Sequence, residues 1–279
     1  MQKLLVYSSK RWTMVKKQRI ILTSVILLLL AIFILSGVMI WRELSGRQKD
    51  KDNFHTLAEL VAPENSITAG TVSSMTEATE GTEGMEPTSE EPDAPVHKRN
   101  LAPLYEQNSD CIGWVSIPDT GVDYPVMHTP DEPQRYLRLN FYGEYSRSGV
   151  PFLDGRCSLE SSNLILFGHN MKDGTMFSAV TGYADEDYAK EHPVIEFETA
   201  DGCRTYAVFA AVAVQDTNAW YDFIDAADRE SFDRAVSAIR ERAQYTTDAA
   251  PVYGKQLLTL STCYGESSSD RLIVVCTEP

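Results

Sequence analysis

The 279-residue sequence has no surplus of positive charge: 25 Lys and Arg stand against 40 Asp and Glu, a net charge of −15. A protein that tracks nucleic-acid phosphates needs a basic face, so no nucleic-acid partner is expected. Paired cysteines are also missing. The five present (Cys111, Cys157, Cys203, Cys263 and Cys276) form no C-x-x-C pair, which leaves a zinc site without support. There is no EF-hand-like spacing for calcium either, and neither a metal nor another cofactor is expected. An odd number of cysteines leaves at least one thiol free unless chains cross-link; disulfides among the others stay open. No internal repeat recurs at a fixed period.

What is present is segregated. Residues 1–19 hold six basic residues and no acidic one, whereas residues 53–95 hold nine acidic residues and no Lys or Arg. Between them, residues 20–41 form a run of 22 without a charge, rich in Leu, Ile and Val. As a helix this run spans about 30 Å, the thickness of bilayer hydrocarbon. A cleaved signal peptide has an apolar region of only about 7–15 residues and a small-residue cleavage site. This run is longer and ends in Gly37-Val38-Met39-Ile40-Trp41 without an Ala-x-Ala pattern. We therefore expect an uncleaved single-pass anchor, with residues 1–19 as a cytoplasmic basic tail and everything after Trp41 outside the membrane. Residues 42–97 are expected to form an acidic, largely disordered extracellular spacer. Its Thr/Ser/Glu/Gly/Pro-rich part at 62–95 is too poor in apolar residues to offset ordering entropy, and 42–60 can extend the helix.

Residues 98–279 are long enough for one well-buried domain. Segments 112–117, 122–127, 150–153, 163–167, 194–198, 205–214, 256–262 and 271–277 are rich in β-branched and aromatic residues and read as strands. Phe232, Ala235, Val236, Ile239 and Ala243 recur at helical spacing, with Asp228 as N-cap. Helices do not alternate with strands, so the expected fold is mainly β. It is a closed or nearly closed barrel with one inserted helix and a short helix ending near Asn108.

Three residues are candidates for chemistry, the alternative for the Cys/Arg pair being an inert half-buried Cys beside a surface Arg. Cys263 ends a strand and opens the loop 264–270, where a thiol is fixed by the sheet yet open to solvent. Arg271 begins the next strand, so pairing through that loop places the guanidinium beside the sulfur, where it favours developing negative charge. His169 likewise follows a strand and supplies a proton donor or acceptor near neutral pH. His55, His97, His128 and His192 read as surface structure. Cys with His and Arg, and no evident third carboxylate, departs from the papain-like pattern.

These segments resemble the sortase family. Thr259-Leu260-Ser261-Thr262-Cys263 is similar to its TLxTC signature, and Arg271 takes the place of its arginine. Phe167-Gly168-His169-Asn170-Met171 followed by Gly174-Thr175-Met176-Phe177 is similar to its histidine segment. Residues 136–154 and the helix at 228–244 look like class B members. The resemblance implies an eight-stranded sortase barrel with an N-terminal helix and an inserted helix before the Cys strand. It also implies a cysteine transpeptidase on the outer face of a Gram-positive membrane. Cys263 would cleave a C-terminal sorting signal of a secreted protein after Thr. A peptidoglycan-precursor amine would then resolve the thioacyl-enzyme. His169 would protonate the leaving amine and deprotonate the incoming one, while Arg271 binds substrate backbone and oxyanion, with the Tyr264 N–H a second donor. Ser261, Thr262 and Phe167 are candidates for lining the groove. No Asp-Pro-Trp/Phe lid motif of pilin-polymerising members occurs. A mainly hydrolytic cysteine endopeptidase and an inactive extracellular binding module remain as alternatives.

Overall fold

Residues 2–62 and 97–279 are described by a computed structural model. The chain divides into two units, 1–49 and 50–279. The first unit is helical and belongs to α1 (Gln2–Val61). Every side chain from Leu22 to Trp41 is exposed, and α1 is long and apolar enough to cross a membrane.

In the second unit α1 behaves differently. Phe54, Leu57 and Val61, spaced three and four residues apart, are buried in the main hydrophobic core. Residues 50–61, which fall in the stretch expected to extend the helix or begin the spacer, are helix packed on the domain. The run of charges from Arg47 to Asp52 hides that short apolar stripe from a composition-based reading. The remaining expected spacer, from 63 to 96, lies outside the described residues. Chain entry into the domain is clamped by Glu198, whose buried Oε1 accepts the backbone N–H groups of Lys98 (2.7 Å) and Arg99 (3.0 Å).

Eight strands follow: β1 (Cys111–Ser116), β2 (Asp123–Met127), β3 (Phe152–Leu153), β4 (Asn163–Phe167), β5 (Val194–Thr199), β6 (Gly202–Gln215), β7 (Leu257–Cys263) and β8 (Asp270–Thr277). They close in the order β1-β2-β3-β4-β7-β8-β6-β5, with β5 returning to β1. The eight segments expected as strands are these eight, and the closed barrel is as expected. The helices are α2 (Ala102–Gln107), α3 (Glu186–Glu191) and α4 (Arg229–Arg242). Asp228 caps α4, accepting from the Ser231 N–H at 2.8 Å while its own N–H donates to the Ser231 hydroxyl. The six-residue α3 is too short to show a period in sequence.

β4, β7 and β8 are buried on both faces, which is why their sequences read as nearly unbroken apolar runs. Leu164, Leu166, Leu258, Leu260, Leu272 and Val274 join the larger core. The alternate residues Ile165, Leu257, Ile273 and Val275 pack in a second cluster with Phe232, Val236 and Ile239 of α4. Thus α4 covers the outer face of the strands that carry Cys263 and Arg271.

Candidate active site

β7 and β8 are antiparallel, and their last paired position is Cys263 opposite Arg271. Direct partners in such a ladder share a face, with Cβ atoms about 4.5–5.5 Å apart. Strand parity puts both on the outer face, with Leu257, Thr259 and Ser261 preceding Cys263. The loop between them is closed by the Tyr264 N–H on the Asp270 carbonyl (3.0 Å) and the Ser267 N–H on Asp270 Oδ2 (3.0 Å). Arg271 is fastened to the same loop. Its Nη1 donates to the carbonyls of Ser268 (2.6 Å) and Asp270 (2.9 Å), and its Nη2 to Asp216 Oδ2 (3.4 Å).

β4 runs parallel to β7 with register Phe167 to Ser261 at its end. Three hydrogen bonds carry the pairing beyond the strand. The Gly168 N–H donates to the Ser261 carbonyl (3.1 Å), the Thr262 hydroxyl to the Gly168 carbonyl (2.8 Å), and Asn170 Nδ2 to the Cys263 carbonyl (3.1 Å). His169 is therefore held at the same barrel end as Cys263, on the opposite side of β7 from Arg271. The close approach depends on glycine, because a Cβ at residue 168 would stand 2.5 Å from the Phe177 ring.

The histidine's electrostatics follow from its surroundings. Burial holds its pKa below the ordinary 6.5, the hydrogen bond with Leu137 opposes this, and the charges of Arg138 and Arg271 depress it further. Its Nε2 lies 3.0 Å from the Leu137 carbonyl, which can only accept. Nε2 therefore carries the hydrogen, and Nδ1 is the nitrogen free to exchange a proton.

All five thiols are free, and Cys263 is the exposed one. Burial pushes the Cys111 thiol up to about 12 and Cys157 up to about 11, and raises Cys203 and Cys276 as well. Among the described residues no group of three or more His, Cys, Asp or Glu gathers as a metal site would require.

The candidate groove residues point to different faces of their strands. Phe167 and Ser261 do lie on the thiol's face, and Tyr221 covers them: its hydroxyl is 2.8 Å from Ser261 Oγ and its ring stacks on Phe167 at 5.9 Å. Thr262 does not. Two residues on from Leu260, it faces the barrel interior, is buried, and serves instead to hold Gly168. The Tyr264 N–H, expected as a second oxyanion donor, donates to the Asp270 carbonyl at 3.0 Å. Tyr221 and Leu137 do not stand out in sequence, because each reaches the site from a segment 32 or more residues from its partner. Arg156 secures Tyr221 by donating to its carbonyl (2.7 Å) and to Asp154 Oδ2 (2.8 Å). Beyond Arg271 an open groove of about 950 Å³ runs along α4, lined by Trp220, Phe223, Arg234, Ile239 and Tyr264 among others.

A thiol, an imidazole and a guanidinium brought to one end of a closed eight-stranded barrel, with a helix over the outer face, define a narrow structural class. The sortase domain family matches residues 115–278 of this chain. The chain belongs to the sortase family. Its relatives are of class B. Sortase B of Listeria monocytogenes is 32% identical over 174 residues, covering 61% of this chain and 70% of that protein. The Staphylococcus aureus sortase B–substrate complex superimposes with a TM-score of 0.59 at 26% identity, covering 63% of this chain and 83% of that one. A sortase B complexed with triglycine gives a TM-score of 0.59 at 28% identity, covering 63% and 84%. As a sortase, the chain is a cysteine transpeptidase by family, and its histidine and arginine flank the cysteine strand from both sides.

Proposed function

We propose that this sortase is a membrane-anchored class B enzyme that cleaves a sorting signal near the C-terminus of secreted proteins, after a Thr residue, and transfers the protein to an amine of a cell-wall precursor. The observation that carries this reading is the cross-strand pair Cys263–Arg271 with His169 held across β7 at the same barrel end. His169, kept neutral by burial, takes the Cys263 proton through Nδ1. The thiolate attacks the Thr carbonyl, and the oxyanion that forms is stabilised by Arg271. Collapse expels the amine, which takes the proton from His169 and leaves a thioester. An incoming amine attacks that thioester and gives its proton to His169. The new amide leaves as the thiolate departs, and His169 returns its proton to the sulfur. Phe167, Ser261 and Tyr221 form the floor against which the signal lies.

The solved relatives bound to a substrate and to triglycine support a peptide signal and an amine acceptor. The basic tail and the exposed apolar helix support a single-pass anchor with its N-terminus in the cytoplasm and the barrel outside. The test is product analysis with the full chain in detergent: signal peptide incubated with and without triglycine. Ligated peptide in the presence of triglycine supports transfer. Cleavage to free acid at an unchanged rate, with no ligated product, would make the protein a hydrolase.

A further inference from the structure

The end of α1 reaches the histidine through a continuous chain of contacts. Asp50 Oδ2 accepts hydrogen bonds from the hydroxyls of Ser146 (2.7 Å) and Ser148 (3.0 Å), both buried and 2.9 Å from each other. Ser146 Oγ also accepts the Gly149 N–H at 3.1 Å. Gly149 adopts φ +61° and lies so close to the preceding segment that a Cβ there would stand 2.8 Å from the Leu137 carbonyl oxygen. That oxygen is the one that accepts from His169 Nε2. Two further contacts join the same helix to the loop after His169. Lys51 pairs with Asp173 at 3.5 Å. Phe54 packs edge-on against Tyr124 at 5.2 Å, and the Tyr124 hydroxyl accepts the Met176 N–H at 3.1 Å. Met176 bridges back to Asn170, beside the histidine.

Buried hydroxyls need partners, and a carboxylate that takes two of them fixes the backbone between them. Here the fixed backbone, 146–149, is the support under the Leu137 carbonyl. We propose that Asp50 is a positioning residue: through Ser146, Ser148 and Gly149 it holds the Leu137 carbonyl where it imposes the Nε2–H tautomer on His169 and aims Nδ1 at the reaction. Orientation of the acid–base group is thereby tied to the docking of the helix that leads out of the anchor. This rests on the proton-transfer role proposed above for His169.

The experiment uses the full chain in detergent with Asp50→Ala, Asp50→Asn and His169→Ala. Acyl transfer is measured as kcat and KM across pH, and the His169 tautomer is read by long-range 1H–15N NMR, with His169→Ala supplying the assignment. Asp50→Ala is expected to lower kcat about tenfold or more at nearly constant KM, the scale of a misplaced group, and to abolish the uniform Nε2–H signature. Asp50→Asn, which still accepts a hydroxyl, should recover most of both. A folded Asp50→Ala protein with parental kcat, pH profile and tautomer overturns the inference. If that variant fails to fold, Ser146→Ala is judged by the same two readouts. Full activity in His169→Ala would defeat the proton-transfer role itself, while the NMR signal of Asp50→Ala still decides whether Asp50 sets the tautomer.

Discussion

Cys263 and Arg271 are direct cross-strand neighbours, the last pair of the β7–β8 ladder before the loop that joins them. The sheet itself sets their separation, and Asp216 with two loop carbonyls sets the tilt of the guanidinium. Removing the guanidinium should therefore remove charge stabilisation without disturbing the nucleophile. We predict that Arg271→Ala and His169→Ala each lower transpeptidation by at least about a hundredfold, the scale of a lost oxyanion or acid–base contribution. Steady-state kinetics on variants with parental circular dichroism check this. Near-normal turnover in either variant contradicts the role given to that residue.

Gly168 supplies the second prediction. A methyl group there would meet the Phe177 ring at 2.5 Å, while both backbone groups of Gly168 are tied to β7. Either the ring or the histidine segment must shift. Gly168→Ala should cost about 1–3 kcal/mol of stability, the scale of overpacking. Activity should fall by more than the unfolded fraction accounts for. Urea unfolding and kcat measured on the same samples separate the two effects.

A third prediction concerns the groove floor. Tyr221 is buried, and its hydroxyl meets Ser261 at 2.8 Å. Tyr221→Phe leaves the buried Ser261 hydroxyl without that partner and should destabilise the domain by about 1–3 kcal/mol. Replacing both, as Tyr221→Phe with Ser261→Ala, should recover much of the loss. A double-mutant cycle in urea tests the coupling; strictly additive losses would show that the hydroxyls do not cooperate.

The fourth concerns pH. His128 has its Nε2 buried without a hydrogen-bond partner, and burial lowers its pKa below the ordinary 6.5 although contacts with Asp154 and Cys157 oppose this. His169 is lowered too, chiefly by burial. A histidine with a lowered folded-state pKa binds fewer protons folded than unfolded. Its favourable contribution is fully present above 6.5 and declines as pH falls below that value toward the folded pKa. We predict that thermal stability drops between pH 7 and pH 5, and that His128→Gln flattens this slope. An unchanged slope in the variant would assign the acid sensitivity elsewhere.

The barrel is legible in sequence because β4, β7 and β8 are covered on both faces and their apolar runs stand out, while the loop 264–270 separates β7 from β8. The thiol, imidazole and guanidinium each sit at a strand end, and what singles them out in sequence is the resemblance of 259–263, Arg271 and 167–177 to the sortase signatures. Strand parity separates Thr262 from Cys263 and groups it with Leu258 and Leu260 on the interior face. The placement of Tyr221 over Ser261 and of the Leu137 carbonyl against His169 is not legible. Both come from short 3-10 turns, Ala219–Asp222 and Arg135–Leu137, with no periodic signature of their own. Phe54, Leu57 and Val61 do show helical spacing, but the stripe is only three residues long and follows a dense run of charge.

Carriage of the acyl group by Cys263 is the step on which the proposed mechanism depends. It is tested most directly by intact and peptide-level mass spectrometry of the full chain after mixing with a panel of sorting-signal peptides, followed by triglycine. A thioester adduct confined to Cys263, absent in Cys263→Ala and discharged by triglycine into ligated peptide, is the expected result. Transfer that persists in Cys263→Ala, or an adduct on another of the five cysteines, would contradict it.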